Sequence, residues 1–249
     1  MREVEILEAR CLLTAALASA GTVSQIGGTL PEEDPNAAYV WELYRDLLGR
    51  FPDFPGDNAW GAQLEQGVQR SAVVQGFVNS LEYRARVVEG LYQSLLGRQA
   101  EPYGLSNWLN FLGANHTVEQ MEAGLLASAE YSQLHAATSD HAFLVATYHD
   151  VLGRAVDPSG LAFWSASLTF GVARADVAFA ILSSDERVQS LVRRSYEQYM
   201  YRPADPAGLA FFVSQVKQGL TDQSLIAVLD ASDEFFSYFQ PTPQPGTIT

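Results

Sequence analysis

The chain has 249 residues and a formal net charge of −14, from 15 Lys and Arg against 29 Asp and Glu. This acidity disfavours nucleic acid and anionic membranes as partners. The single cysteine, Cys11, excludes a disulfide framework and a cysteine-ligated zinc site. The sequence contains no run of about 18 apolar residues, so it predicts no ordinary transmembrane helix. With 47% hydrophobic residues, the chain can bury a substantial core.

The first 20 residues have features of an export signal. Residues 11–20 are small and apolar, and they end in Ala18-Ser19-Ala20, which fits the small-x-small cleavage rule. Residues 1–10 mix arginines with glutamates, whereas an ordinary signal is clearly positive. We predict a signal-like export segment over residues 1–20, and the alternative is a weakly helical N-terminal arm.

The segment LEARCLL, residues 7–13, resembles the LEPR-XLL motif at the start of exported and surface proteins of planctomycete-type bacteria. Ala9 stands in place of the usual proline. The resemblance implies an extracytoplasmic protein, secreted or at the cell surface. Beyond this segment, Gly, Pro and acidic residues predict a linker over 21–37, and a Pro/Thr-rich tail spans 241–249.

Four repeats fill residues 38–240, each marked by an arginine six residues after a tyrosine. The arginines are spaced 48, 56 and 48 residues apart, because repeat three follows an insertion near residues 135–142. We group 38–137 as repeats one and two and 138–240 as repeats three and four. Adjacent repeats are predicted to bury a continuous core and to offer the loops of one face to a partner.

Five residue types recur at fixed distances within each repeat. They are the arginines Arg50, Arg98, Arg154 and Arg202; the acids Asp53, Glu101, Asp157 and Asp205; the glycines Gly56, Gly104, Gly160 and Gly208; the aromatics Trp60, Trp108, Trp164 and Phe212; and the glutamates Glu82, Glu130, Glu186 and Glu234. Each of these glutamates follows a serine by two residues.

Repeat three shows most clearly what these positions predict. Its first helix ends at Gly153, a suitable left-handed C-cap. Asp157-Pro158 predicts the N-cap and first residue of a second helix over about 159–170. A third helix spans about 173–182, and Ser184 begins the helix that continues into repeat four. We therefore predict an all-α fold of tandem repeats with about three helices per 48-residue repeat, the last helix of one repeat being the first of the next.

The segments LYRDLLGR (43–50), LYQSLLGR (91–98), TYHDVLGRAVDPSGLAFW (147–164) and YRPADPAGLAFF (201–212) resemble the bacterial domain-of-unknown-function family numbered 4214. The resemblance covers about residues 38–240. It implies a fold like that of phycobilisome linkers and occurrence as tandem modules in secreted and surface proteins, and it brings no activity. Tyr201 stands where the family has the glycine of LGR.

We interpret the recurring residues as structural. The acid after each arginine is predicted to cap a helix, the glycine to allow close helix packing, and the aromatic to fill the core. We hypothesise that each arginine pairs with an acid, with the Ser-x-Glu glutamate of its own repeat as the candidate. The sequence predicts no catalytic, cofactor-binding or metal residues, and no cofactor. We interpret His135 and His141 as part of a solvated loop.

Four aromatic residues in loops between helices are predicted exposed contacts, namely Phe51, Phe54, Tyr103 and Tyr201. The sequence favours a non-catalytic, secreted or cell-surface repeat protein that binds or scaffolds a protein or glycan partner. The alternative is an enzyme acting on polysaccharide at a site between repeats, which a deep pocket lined by two carboxylates outside the recurring positions would indicate. A cytoplasmic linker-type assembly protein is a third hypothesis.

Overall fold

Pro35 begins the first helix of the computed structural model, which describes residues 34–240, apart from the side chains of residues 54–58. The predicted export segment, most of the predicted linker and the predicted tail lie outside the described residues. The linker ends earlier than predicted, because residues 35–37 are already helical. Proline is well suited to the first helical position, where its missing N–H would have had no partner.

The described residues are all-α, with no strand among them. Their helices are α1 Pro35–Leu43, α2 Phe54–Glu65, α3 Arg70–Val78, α4 Leu81–Leu96, α5 Pro102–Gly113, α6 Val118–Leu126, α7 Ala129–Leu134, α8 Asp140–Leu152, α9 Pro158–Thr169, α10 Arg174–Leu182, α11 Asp185–Tyr199, α12 Pro206–Lys217, α13 Asp222–Asp230 and α14 Asp233–Ser237. A π-helical turn, Tyr44–Leu48, extends α1. Within residues 34–240, no helix has the length and apolarity needed to cross a bilayer.

The helix boundaries of repeat three agree with the prediction. Gly153 follows α8 with φ of 67°, and Asp157 caps α9 by accepting a hydrogen bond from the N–H of Gly160. Ser184 caps α11 by accepting one from the N–H of Arg187. Local sequence signals are sufficient here because each cap satisfies backbone groups that the helix leaves free.

Repeat four keeps the left-handed turn although it lacks the glycine. Tyr201 adopts φ of 51° at the position where Gly49, Gly97 and Gly153 adopt 66° to 67°. Left-handed backbone is unfavourable for a residue with a large side chain. The contacts of the Tyr201 side chain, described below, offset that cost.

Helices shared between consecutive repeats occur at two of the three junctions. The continuous helix α4 joins repeats one and two, and α11 joins repeats three and four. Between repeats two and three the insertion divides the helix into α7 and α8. The prediction of a shared helix is therefore correct for the first and last junctions and wrong for the middle one.

The apolar side chains form two cores rather than one continuous core. The first core combines repeats one and four and includes Tyr39, Leu43, Leu225 and Phe235, all fully buried. The second core combines repeats two and three and includes Met121, Tyr131, Phe143 and Ile181. The predicted continuous core between adjacent repeats is therefore wrong for repeats one and two and for repeats three and four.

The third helices of the repeats pair the repeats within each core. Helix α6 of repeat two packs on α10 of repeat three, and α3 of repeat one packs on α13 of repeat four. The long helix α4 connects the cores, since its Tyr83 lies in the first and its Leu95 in the second. The described residues from Pro35 onward form one compact unit. The packing thus groups the repeats differently from the sequence ranges 38–137 and 138–240.

The insertion before repeat three packs against the second core. Ala137 is fully buried, and the ring of His135 stacks on Tyr131 at 4.2 Å between ring centres. Nη1 of Arg174 donates to the carbonyl oxygen of Ala137 at 3.0 Å. His135 and His141 are both exposed, as the interpretation as a solvated loop expects, although the ring of His135 also contacts Tyr131. Repeats two and three share a core, so the chain must turn back here, and a continuous helix could not do so.

Candidate functional site

Each repeat contains the same arginine–glutamate pair. In repeat three, Nε and Nη2 of Arg154 donate to the two carboxylate oxygens of Glu186 at 2.6 and 2.7 Å. Nη1 donates to the carbonyl oxygen of Ala155 at 3.0 Å. The equivalent pairs are Arg50 with Glu82, Arg98 with Glu130, and Arg202 with Glu234. The structure therefore contains the pairing hypothesised from the sequence, which joins the loop after the first helix to the start of the next shared helix.

The recurring tyrosine and tryptophan complete this arrangement. Each guanidinium carbon lies 4.9 to 5.2 Å from the ring centre of the tyrosine six residues earlier. The tyrosine hydroxyl accepts a hydrogen bond from indole Nε1, at 3.2 Å from Trp108 to Tyr92 and at 3.0 Å from Trp164 to Tyr148. In repeat four, Phe212 replaces the tryptophan and packs edge-on against its tyrosine. These side chains contact one another within their own repeat, so we assign them a structural role.

The acid after each arginine does not act identically in all repeats. Asp157 and Asp205 accept the capping hydrogen bond from the glycine N–H three residues on, each at 2.9 Å. Glu101 makes no side-chain cap, and its carboxylate instead accepts from Nη1 of Arg98 at 2.6 Å. The prediction of a capping acid is therefore wrong for Glu101, which keeps the contact with the arginine that Asp157 and Asp205 also make.

We expect the Arg–Glu pairs to make modest contributions to stability. Their arginine side chains are 31–39% exposed, so water screens the attraction. In a double-mutant cycle, Arg154→Gln and Glu186→Gln should show a coupling of about 0.5–1 kcal/mol in the free energy of unfolding. Urea denaturation measures this, with the exposed Arg193→Gln as control. A coupling of zero would contradict a stabilising role for the pair.

The recurring glycine at the start of the second helix lies against the tyrosine hydroxyl. A Cβ added to Gly160 would lie 2.7 Å from the hydroxyl oxygen of Tyr148, whereas one added to Gly90 in α4 meets nothing within 4 Å. Gly160→Ala should therefore lower the free energy of unfolding by about 1–2 kcal/mol. Gly90→Ala should raise it by about 0.5–1 kcal/mol through helix propensity. Denaturant titration of both variants measures the change in the free energy of unfolding. An increase in this free energy for Gly160→Ala would rule out tight packing between the glycine and the tyrosine hydroxyl.

The predicted exposed contacts have different environments. Tyr103 is 77% exposed and Phe51 is 58% exposed, and the side chain of Phe54 lies outside the described residues. Tyr201 is not an exposed contact, because its hydroxyl donates to the carboxylate of Glu42 and lies 3.2 Å from a carboxylate oxygen of Asp46 in repeat one. The role of Phe51 and Tyr103 as contacts stays a prediction.

Three phenylalanines that the sequence analysis did not single out are exposed in the structure. Phe163 and Phe170 in repeat three are 63% and 88% exposed, and Phe211 in repeat four is 56% exposed. Phe163 and Phe211 occupy the same repeat position, immediately before the core aromatic. Consecutive residues of a helix point about 100° apart, so a phenylalanine next to a buried aromatic residue is expected to face away from the core. This position was the signal that the sequence offered for the exposure of Phe163 and Phe211. We refer to Phe163, Phe170 and Phe211 as the exposed phenylalanines.

An acidic cluster lies where repeat one meets repeat four. Both carboxyl oxygens of Asp230 are buried, with no hydrogen-bond partner among residues 34–240. Burial raises the pKa of Asp230 well above its usual value, and the neighbouring acids Asp46 and Glu42 raise it further. Burial, and then the charge of Glu42, raises the pKa of Asp46 to about 7. The cluster therefore holds protons near neutral pH.

A cavity of about 320 Å³ lies between repeats two, three and four. Its walls include Leu182, Leu191 and Leu220, and its polar lining includes Glu119, Arg187 and Asp222. Neither carboxylate occupies a recurring repeat position. Sequence reasoning missed this cavity because it needs residues from three repeats that only packing brings together.

A known family matches two parts of the chain. The family model described as "Domain of unknown function (DUF4214)" matches residues 28–87 and 121–191, which together are more than half of the chain. The chain belongs to this family. No curated protein and no solved structure matches it.

The two regions matched by DUF4214 contain the Arg50–Glu82 and Arg154–Glu186 pairs. The Arg202–Glu234 pair lies outside them yet has the same geometry, with Nη2 to Oε2 at 2.8 Å. Repeat four therefore contains the same arginine–glutamate pairing as the two matched regions, although the family model does not match it.

Proposed function

We propose that this DUF4214 protein is a non-catalytic binding or scaffolding module that is secreted or acts at the cell surface. We further propose that it binds a protein or glycan partner through the exposed phenylalanines. The signal-like features of residues 1–20 support export. The recurring charged residues are engaged within the repeats, so they do not supply the partner surface.

The observation that carries the proposal is the apolar outer face of α9. Phe163 lies on α9 and Phe170 is the C-cap residue that follows it, so the two residues are seven positions, or about two helical turns, apart on the same side. Exposed Ala166 lies between them, and the sequence of α9 contains no charged residue. Large exposed aromatic side chains of this kind are typical of binding surfaces.

The test is co-sedimentation of the purified protein with cell-envelope material of the source organism. The double variant Phe163→Ser and Phe170→Ser should lower binding at least tenfold without a change in melting temperature, because both side chains are exposed. Leu134→Ser is the control, because this residue is 58% exposed and lies outside the predicted contacts. Protease treatment of the envelope should abolish binding to a protein partner, and periodate oxidation should abolish binding to a glycan. Full binding by the double variant would rule out this surface.

Export is tested separately by sequencing the N-terminus of the native protein. Gly21 as the first residue supports cleavage and an extracytoplasmic location. An intact Met1 on protein recovered from the cytoplasm would contradict it and would favour the cytoplasmic assembly hypothesis.

The cavity favours a second candidate, an enzyme acting on polysaccharide. Glu119 and Asp222 are the two carboxylates outside the recurring positions that this alternative requires. Burial raises the pKa of Asp222, and the neighbouring Glu119 raises it further, which is how a carboxyl group is kept protonated to act as a general acid. Release of reducing sugar by the protein, and its loss in Asp222→Asn, would favour the enzyme.

A further inference from the structure

Some polar groups around the cavity have a hydrogen-bond or ion-pair partner inside the protein, and others do not. Thr117 and Thr221 cap helices α6 and α13 through their hydroxyl oxygens. Lys217 pairs with Asp185 at 2.7 Å. These groups already have partners inside the protein, so they are poor anchors for a ligand.

Arg187 has no such hydrogen bond at Nη1. Its side chain is 15% exposed, and Nη1 is buried with no partner among the described residues. Nη2 lies 4.0 Å from the carboxylate of Glu122, which is longer than a hydrogen bond. A buried guanidinium N–H without an acceptor is costly and therefore indicates a missing acceptor.

The charges around Arg187 favour an added anion. Burial and the nearby charge of Arg187 lower the pKa of Arg194. Burial raises the pKa of both Glu122 and Asp222, which weakens them as counter-ions. An anion beside Arg187 would offset the repulsion between the two arginines and supply the acceptor.

The rest of the lining selects an apolar ligand body. Phe179, Leu182 and Leu191 come from repeat three, and Val216 and Leu220 come from repeat four. A volume of about 320 Å³ is within the range of small-ligand sites. The ligand should therefore combine an aliphatic portion with one acidic group.

We propose that this cavity binds an aliphatic carboxylate, with its hydrocarbon portion against Leu182, Leu191 and Leu220 and its carboxylate on Arg187. A carboxylate provides two acceptors in the geometry that a guanidinium matches. The ligand is either a free acyl chain or the C-terminal residue of a peptide, because both present the same group. The site is separate from the exposed phenylalanines.

The experiment is calorimetric titration of the full-length protein with octanoate and N-acetylleucine, each against its uncharged analogue, octanol and N-acetylleucinamide. We expect each acid to bind at least tenfold more tightly than its analogue. Tighter binding of octanoate would indicate an acyl chain as the source, and tighter binding of N-acetylleucine a peptide terminus.

Arg187→Gln should remove that preference for the acids, whereas Arg193→Gln on the exposed face of the same helix should keep it. If Arg187→Gln fails to fold, Leu220→Trp fills the cavity without altering charge and should weaken all four probes. Equal affinity for octanoate and octanol in the unaltered protein would overturn the proposal. Unchanged octanoate binding by both Arg187→Gln and Leu220→Trp would also overturn it.

Discussion

A fragment with repeats two and three, residues 81–184, is expected to unfold cooperatively, whereas one with repeats one and two, residues 35–137, is not. The first fragment keeps the α6–α10 contact and nearly the whole second core. The second keeps α3 without α13 and α6 without α10, so it contains half of each core. The two fragments have nearly equal lengths, which makes them matched controls for each other.

The expected difference is large because the lost contacts are fully buried. Val73 and Val74 on α3 and Leu225 on α13 are 0% exposed in the first core. Exposing each costs about 1.5–3 kcal/mol, and a few such losses reach the 5–15 kcal/mol that stabilises a domain. Thermal unfolding followed by near-ultraviolet circular dichroism, together with dye binding to exposed apolar surface, measures the outcome. Equal cooperativity of the two fragments would contradict the pairing of repeats one with four and two with three.

The stability of the whole protein is expected to fall between about pH 4 and pH 7. The pKa of Asp46 is raised by burial from 3.8 to about 7. The folded state therefore binds more protons than the unfolded state across this interval, and stability is lost as pH rises through it. At about 1.4 kcal/mol per pKa unit, the loss from Asp46 is of the order of 4 kcal/mol. Asp230 acts in the same direction.

Urea denaturation at pH 5 and pH 8 measures this loss. Asp46→Asn removes the titrating group and should reduce the difference, raising stability at pH 8. Asp176→Asn, on the exposed surface of α10, is the control and should leave the difference unchanged. Glu82, Glu130, Glu186 and Glu234 have lowered pKa values from their arginine partners, so they lower stability only in more acidic solution. Stability that rises from pH 5 to pH 8 would contradict the buried state of Asp46.

The recurring residues were predictable because each acts over a short distance in the chain. Asp157 caps the helix that immediately follows it, and Gly160 meets a tyrosine only twelve residues earlier. Arg154 and Glu186 are further apart, yet they belong to one repeat and recur with the same spacing in the other three. Four copies of one pattern therefore supplied the information that a single copy would lack.

Repeat pairing was not predictable in the same way. All four third helices present apolar side chains, such as Val73 on α3 and Ile181 on α10, and any two could bury them together. Which helices meet depends on the path of α4 and α11 and on the turn at Ala137. The acidic cluster and the cavity follow from that pairing, since each combines residues from repeats that are distant in the chain.

The sequence by itself determined that this protein is all-α, that it contains four repeats of three helices, and which arginine pairs with which glutamate. These features depend on caps, helical periodicity and contacts within one repeat. Only the tertiary structure decided that repeats one and four share a core, that Tyr201 is engaged by Glu42 and that Arg187 lacks an acceptor beside a cavity. Hydrophobic burial is non-directional, so the pattern of apolar residues specifies that a face is covered but not which helix covers it.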